Sequence, residues 1–272
     1  MKVESISIYP VKSTAPTSLD SARVELAGLR GDRRWMVVDE TGDWVTASKV
    51  DALLGVTAAL TARGIRLTAD GQPDLTVDEP VGGEDVPVAI SRLAFATDAG
   101  DAAADWFSAI VGESVRLVWQ DDTAKRTVGV QHGALPDDQV SLADVAPLLL
   151  TTTASLAQLN RWIATDHEPE AMVMRRFRPN VVVEGDIESF AEDDWRQIRI
   201  GEVDYRFAEH CDRCVVTTID PLTLGHGKEP IRTLARHRKW DGKTWFGIRI
   251  IPLSTGTISV GDEVRVTASH QV

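Results

Sequence analysis

Short runs of alternating apolar and polar residues dominate the first half of the chain. The opening segment, Lys2-Val3-Glu4-Ser5-Ile6-Ser7-Ile8-Tyr9-Pro10, alternates from its start. Arg34–Asp39 and Trp44–Ala47 flank Glu40-Thr41-Gly42-Asp43, which predicts a hairpin with a short glycine-containing loop. Ile65–Thr68 and Leu75–Asp78 flank a second turn-rich connection, Ala69–Asp74. Several short strands of this kind favour a curled sheet or small barrel. The period then changes. Over Asp101–Val111 the residues Ala103, Trp106, Phe107 and Ile110 recur at three- and four-residue spacing, which predicts a helix, and Arg116–Trp119 returns as a strand.

Asp121–Gln139 is polar, carries glycine and proline, and is expected to be a linker or mobile loop. Beyond it, Leu148–Thr151 reads as a buried strand and Ser155–Ile163 as a helix, with Thr153 as its expected cap. Asn180–Gly185 is a strong strand signal, and Gln197–Ile200 with Val203–Phe207 predicts a hairpin around Gly201-Glu202. Ile231–Arg236 is a short helix candidate, and the chain closes with strands at Phe246–Ile250, Thr257–Val260 and Val264–Val266. The fold class is therefore α+β and mostly β. No tandem repeat or low-complexity tract is present.

The 272 residues suffice for one large or two small domains, and 43% hydrophobic with 26% charged residues is ordinary for a globular protein. Two cysteines do not make a disulfide framework and fit a reducing compartment. No signal-like start and no apolar run of membrane-spanning length is seen, so a cytoplasmic protein without membrane partners is expected. A net charge of -12 disfavours nucleic acid and makes local basic groups informative. Arg175-Arg176-Phe177-Arg178-Pro179-Asn180 is a compact cationic patch, and Lys12 and Arg33-Arg34 add smaller ones. Guanidinium forks match phosphate oxygens in pairs, although single arginines more often stay solvated or pair with acids. Trp35, Trp44, Trp195 and Trp245 lie beside predicted strands, where core packing is the default. Glycine-rich phosphate loops and serine-nucleophile elbows are absent.

The two cysteines sit three apart, Cys211-Asp212-Arg213-Cys214, ahead of a β-branched stretch, Val215–Ile219, that reads as a strand. Thiolates serve as soft metal ligands, nucleophiles and redox partners. Zinc would want further ligands, and His132, His167, His226, His237 and His270 show no paired spacing. A thioredoxin-like dithiol would want a helix N-terminus at its first cysteine. An incidental pair and a ligand to a cofactor-borne metal remain open beside these.

Six motifs in order decide the reading: Tyr9-Pro10-Val11-Lys12-Ser13, Gly31-Asp32-Arg33-Arg34-Trp35, Phe177-Arg178-Pro179-Asn180, Phe190-Ala191-Glu192-Asp193-Asp194-Trp195, Cys211-Asp212-Arg213-Cys214 and Gly256-Thr257-Ile258-Ser259-Val260-Gly261-Asp262. With them the chain resembles the MOSC family, and within it the amidoxime-reducing components. The resemblance implies an N-terminal β-barrel domain, residues 1–120, packed on a MOSC β-barrel domain with short helices, residues 121–272. It implies molybdenum held by molybdopterin and by one protein cysteine, by motif position Cys214, with cofactor contacts at Lys12, Ser13, Arg33, Arg178 and Asn180. Arg213 is a further candidate contact that could stabilise the thiolate electrostatically. Cys211 carries no metal bond in the family pattern.

The activity so implied is reduction of small N-hydroxylated compounds, amidoximes and hydroxylamines, with electrons from a separate donor protein, since no ferredoxin-like cysteine cluster follows. A monomer is the expected state. Where the family often has a threonine followed closely by an arginine, this chain reads Thr46-Ala47-Ser48-Lys49, so a basic contact there is expected to be lost or moved. A molybdenum-cofactor carrier or sulfur-transfer module is the alternative from another class, and a metal-free dithiol or interaction protein is the third.

Overall fold

The computed structural model describes residues 1–166 and 171–269, so His167 and His270 lie outside the described residues. Its largest layer is a sheet that runs, in spatial order, Val264–Ser269, Trp195–Ile200, Val203–Asp212, Lys243–Pro252, Leu148–Thr152, Val181–Glu184, Lys2–Ile8 and Thr17–Leu19. The two-residue strand Lys239–Trp240 adds to Lys243–Pro252. Neighbours in this sheet are antiparallel except Leu148–Thr152 with Val181–Glu184, a parallel pair. A parallel pair needs a crossover, and the helix Thr153–Asp166 lies on it. The first strand, Lys2–Ile8, pairs with Val181–Glu184, so the start of the chain is built into the sheet of its second half. Val3, Ile6, Leu150, Val181, Ile198, Tyr205 and Ile250 close the core on one face.

Residues 35–119 form smaller sheets around the Asp101–Val111 helix. Trp35–Asp39, Val115–Trp119, Phe95–Asp98 and Asp85–Pro87 make one, and Thr57–Leu60, Gly64–Thr68 and Leu75–Asp78 make a meander. Their shared core joins Val37, Leu53, Ile65, Leu67 and Leu117 to Ala103, Trp106 and Phe107 of the helix. Gly112 ends that helix in the left-handed conformation, φ 81°, and its N–H returns to Ser108 O at 2.8 Å. The segment Pro10–Lys12 stitches the large sheet to this region. Trp35 N donates to Pro10 O at 3.0 Å, and Lys12 N donates to Trp35 O at 2.8 Å.

Three local expectations are corrected. Asp121–Gln139 is anchored rather than free: Arg126 is fully buried and its guanidinium donates to the carbonyls of Ser91, Ser141 and Ala143. Thr127 bridges to Gln139, and Val128 joins a small core with Val140 and Ile251. The cap of the second helix is Thr152, whose hydroxyl accepts from Ser155 N at 3.1 Å, while Thr153 is already helical. Val215–Thr218, read as a strand, is one 3-10 turn. Thr217 Oγ1 donates to Cys214 O at 2.9 Å and Thr218 Oγ1 to Val215 O at 2.7 Å, and such local bonds compete with strand pairing. Among the described residues no helix is long and apolar enough to cross a membrane.

Candidate functional site

Where the two sets of sheets meet, a cavity of about 350 Å³ opens. That size lies within the roughly 300–1,000 Å³ common for small-molecule sites. All seven residues singled out in the sequence line it: Lys12, Ser13, Arg33, Arg178, Asn180, Arg213 and Cys214. They arrive from four separate segments of chain. Trp44, Asp144, Phe177, Cys211, Asp212 and Arg249 share the lining, which gives five formal cations against two acids in a chain of charge -12.

Backbone strain concentrates here. Ser13, Arg33 and Arg178 have φ of 71°, 48° and 57°, three of the seven non-glycine residues with positive φ among the described residues. Each such residue costs on the order of 1–3 kcal/mol and persists where surrounding structure over-determines it. The surroundings do so. Tyr9 is sandwiched between two guanidiniums, with Arg33 4.5 Å and Arg178 4.3 Å from its ring centre. Arg33 donates to Asp32 Oδ2 at 2.5 Å and to Asn180 Oδ1 at 3.1 Å, and Arg178 donates to Thr14 O at 2.7 Å. Burial lowers the Arg178 guanidinium to about 10, with the nearby tyrosine opposing the shift.

Asn180 is committed to the fold. Its Oδ1 also accepts from Leu149 N at 3.2 Å and its Nδ2 donates to Ser7 O at 3.1 Å, so it braces Arg33 from behind. Lys12, 5% exposed, donates to Leu142 O at 2.9 Å and to Asp144, and packs over Trp44 at 4.3 Å. Burial lowers its ammonium, and Asp144 opposes that. Asp144 lines the cavity, with its side chain 64% exposed. Enclosure works against its ionisation, but Lys12, then Arg33 and Arg249, hold its carboxyl down at about 2.

The two cysteines occupy different environments. Cys211 is the penultimate residue of the strand Val203–Asp212, is buried, and its sulfur accepts from Arg213 NH1 at 2.8 Å. Arg213 also donates to Phe177 O at 2.7 Å. The arginine thus serves Cys211 rather than Cys214, the thiolate it was expected to support. Cys214 lies past the strand, at the head of the 3-10 turn, and is exposed. Among the described residues its sulfur makes no hydrogen bond. An unengaged soft donor facing hydrogen-bond donors and cations fits a soft metal carried by a phosphate-bearing anion. Zinc is not favoured, since no cluster of three or more His, Cys, Asp or Glu exists among the described residues.

Behind the cysteine strand one carboxyl group is enclosed by hydroxyls. Glu192 is fully buried and accepts from Ser155 Oγ at 2.7 and 2.9 Å and from Thr152 Oγ1 at 3.2 Å. Burial raises its carboxyl to about 7 against these bonds. Asp193 pairs with Arg238 and lies 3.8 Å from His210, whose imidazole is lowered by burial.

Sequence reasoning missed Asp144, Arg249 and the place of Trp44 in the cavity wall. Arg249 carried a signal, a lone charge inside Phe246-Gly247-Ile248-Arg249-Ile250-Ile251. It bonds Glu209 Oε1 at 2.5 Å and Asp212 Oδ1 at 2.9 Å, and its guanidinium is raised by Cys211, Glu209 and Asp212 despite burial. Asp144, in Ser141-Leu142-Ala143-Asp144-Val145-Ala146, carried none. Thr46, Ala47 and Ser48 line the cavity without Lys49, so no cation enters from that turn.

Residues 1–114 match the MOSC N-terminal beta barrel domain and residues 137–265 the MOSC domain. The chain is 31% identical over 281 residues to mitochondrial amidoxime-reducing component 1 of Homo sapiens, covering 96% of this chain and 82% of the relative. To the human component 2 it is 32% identical over 281 residues, with the same coverage. Molybdenum cofactor sulfurase of Danio rerio is 28% identical over 257 residues, 89% of this chain and 31% of that protein.

Proposed function

The chain belongs to the MOSC family, alongside the amidoxime-reducing components, and on that premise we propose that it is a molybdenum-cofactor-dependent reductase of N-hydroxylated compounds. The observation that carries the reading is the exposed, unengaged sulfur of Cys214 on a cavity whose cations come from distant segments. Cys214 would hold the metal. Lys12, Arg33 and Arg178 would meet the phosphate-bearing anion, with Ser13 and Arg213 at its edge and Asn180 bracing Arg33. The division between the two domains falls near residue 120 in this reading.

When bound, the cofactor supplies the two-electron exchange that cleavage of an N–O bond requires. In net terms the N-hydroxyl compound takes up two electrons and two protons, its N–O bond is replaced by N–H, and the oxygen leaves as water. The chain's own part is binding and orientation. Arg33 and Arg178 are stacked on Tyr9 and pinned by carbonyl and amide oxygens, so their forks are ordered before any ligand arrives. Asp144, ionised and facing the cavity, can hold a cationic amidine-like group or order a water. Trp44, Phe177 and Val216 supply apolar wall. Electrons come from a separate donor protein. The protein is proposed to act in the cytoplasm as a monomer.

A second reading, a cofactor carrier or sulfur-transfer module, is favoured by the similarity to the sulfurase of Danio rerio, of which this chain spans under a third. One experiment separates the two. Protein made in a host that synthesises the cofactor is assayed for molybdenum and pterin, then for benzamidoxime reduction by reduced methyl viologen. Near-stoichiometric cofactor with turnover, both lost in Cys214→Ala, is expected. Bound cofactor without turnover would favour the carrier, and absence of cofactor would overturn both readings.

A further inference from the structure

The cationic patch of residues 175–178 is used only in part by the cofactor cavity. Arg178 lines that cavity and Arg175 does not. Both line a small side pocket of about 10 Å³, which shares Arg178 and Val216 with the cavity. That is about the room one water-sized group occupies. The pocket lies between the 3-10 turn Met174–Phe177 and the segment that runs from Val216 to Pro221. Arg178 N closes the turn on Arg175 O at 3.2 Å, and residues three apart in such a turn fall on one side.

The three arginines of the patch are engaged very differently. Arg176 is 6% exposed, and its guanidinium donates to Asp220 Oδ2 at 2.7 Å. Asp220 is fixed in turn by the N–H groups of Leu222 and Thr223, both at 2.9 Å. Arg178 is held by Thr14 O and the ring of Tyr9, and would meet the cofactor's phosphate. Arg175 has neither kind of partner. It is half-buried, its Nε is buried without a hydrogen bond, and among the described residues no carboxylate pairs with its guanidinium. Its charge nevertheless reaches the arginine cluster, because the Tyr9 hydroxyl is pushed up by burial against the pull of Arg178, Arg33 and Arg175. A fork with an unmet donor inside a group of like charges is stabilised by an anion.

We propose that Arg175 is a substrate-specificity residue, which binds a terminal acidic group, carboxylate or phosphate, carried by the N-hydroxylated compound. This rests on the reductase reading above. The side pocket admits an acid oxygen and no ring, which fits the tail of a ligand whose body lies in the main cavity. Val216, which lines both spaces, is two residues past Cys214, so the pocket opens near the sulfur that would hold the metal. Asp144 lines the main cavity and not the side pocket, which keeps the two opposite charges at different places along a ligand. The reaction itself is unchanged. Two electrons and two protons replace N–O by N–H and release water, and the acidic group takes no part in that exchange.

The cofactor-loaded protein is assayed with reduced methyl viologen on neutral benzamidoxime and on its meta- and para-carboxylates and phosphonates. Wild type is expected to favour at least one anionic compound by about tenfold in kcat/KM, the size of one charge-assisted hydrogen bond. Arg175→Gln should remove that preference through KM, with benzamidoxime turnover and molybdenum and pterin content within about twofold of wild type. Arg175→Lys, which keeps the charge and loses the fork, should restore part of the preference. The anion with the larger dependence on Arg175, carboxylate or phosphonate, names the group recognised. No anionic preference in wild type, or a preference that survives in Arg175→Gln, would overturn the proposal. Pterin lost from Arg175→Gln would place Arg175 with the cofactor's phosphate and overturn it as well. Failure of the wild type to turn over benzamidoxime would instead overturn the reductase reading.

Discussion

The two sides of the Val203–Asp212 strand end handle polar groups in opposite ways. On the cavity side, an exposed sulfur and several cations face open space, and three residues are held in the left-handed region. On the rear side Glu192 is fully buried and its oxygens are taken up by the hydroxyls of Ser155 and Thr152. A closed network rigidifies a core, whereas open donors at fixed positions are costly to maintain without a ligand. The contrast supports the proposal that the front binds and the rear stabilises. Front substitutions should therefore change cofactor retention and spare the fold, and rear substitutions the reverse.

The sharpest break is expected at Cys214. Cys214→Ala should reduce bound molybdenum to background while shifting folding stability by no more than about 0.5 kcal/mol, the usual range for exposed sites. Elemental analysis and urea unfolding of the same preparation test both halves. A smaller effect is expected one residue layer away, at Arg178. Arg178→Gln removes a charge-assisted contact of about 1.5–3 kcal/mol, a ten- to hundredfold loss in pterin retention during dialysis. Retention equal to wild type would remove Arg178 from the phosphate set.

The rear side is tested by pH. Glu192 has a folded-state carboxyl at about 7 against an ordinary 4.5. A raised carboxyl folds in its neutral form, so its contribution is complete below about 4.5 and is lost as pH rises through about 7. Stability should fall by roughly 3 kcal/mol across that window at one pKa unit per 1.36 kcal/mol. Glu192→Gln should flatten this fall and leave molybdenum content unchanged. Urea midpoints from pH 4.5 to 8 measure it, and a wild-type profile that rises through the window would contradict a neutral Glu192.

The two sides were unequally legible in the sequence. Alternation located Ile65–Thr68, one residue short of the observed Gly64–Thr68, and Leu75–Asp78, and helical spacing located Asp101–Val111 to the residue. Motif order named Lys12, Arg33, Arg178 and Cys214, residues that only the fold brings to one cavity. Propensity failed at Val215–Thr218, where threonine hydroxyls satisfy carbonyls three residues back and close a turn. It failed again at Asp121–Gln139, because the polar stretch hides Arg126, whose burial depends on carbonyls far along the chain. Asp144 was invisible for the same reason. Its meaning comes from Lys12, 132 positions away.

Cys211 stands on the boundary between the two sides, and the smallest effect is expected there. It is only three residues from Cys214 and lines the same cavity, so proximity alone would make it a second metal ligand. Its sulfur, however, is buried and already accepts an N–H from Arg213, whose other arm is fixed to Phe177 O. Drawing that sulfur to a metal would break the bond and leave Arg213 short of a partner in a wall where its Nε already has none. Cys211→Ser keeps an acceptor but shortens its reach, so stability should drop by about 1 kcal/mol with molybdenum retained. Molybdenum lost from Cys211→Ser as fully as from Cys214→Ala would place Cys211 with the front, and the strand end, not the turn after it, would then be the metal-binding edge.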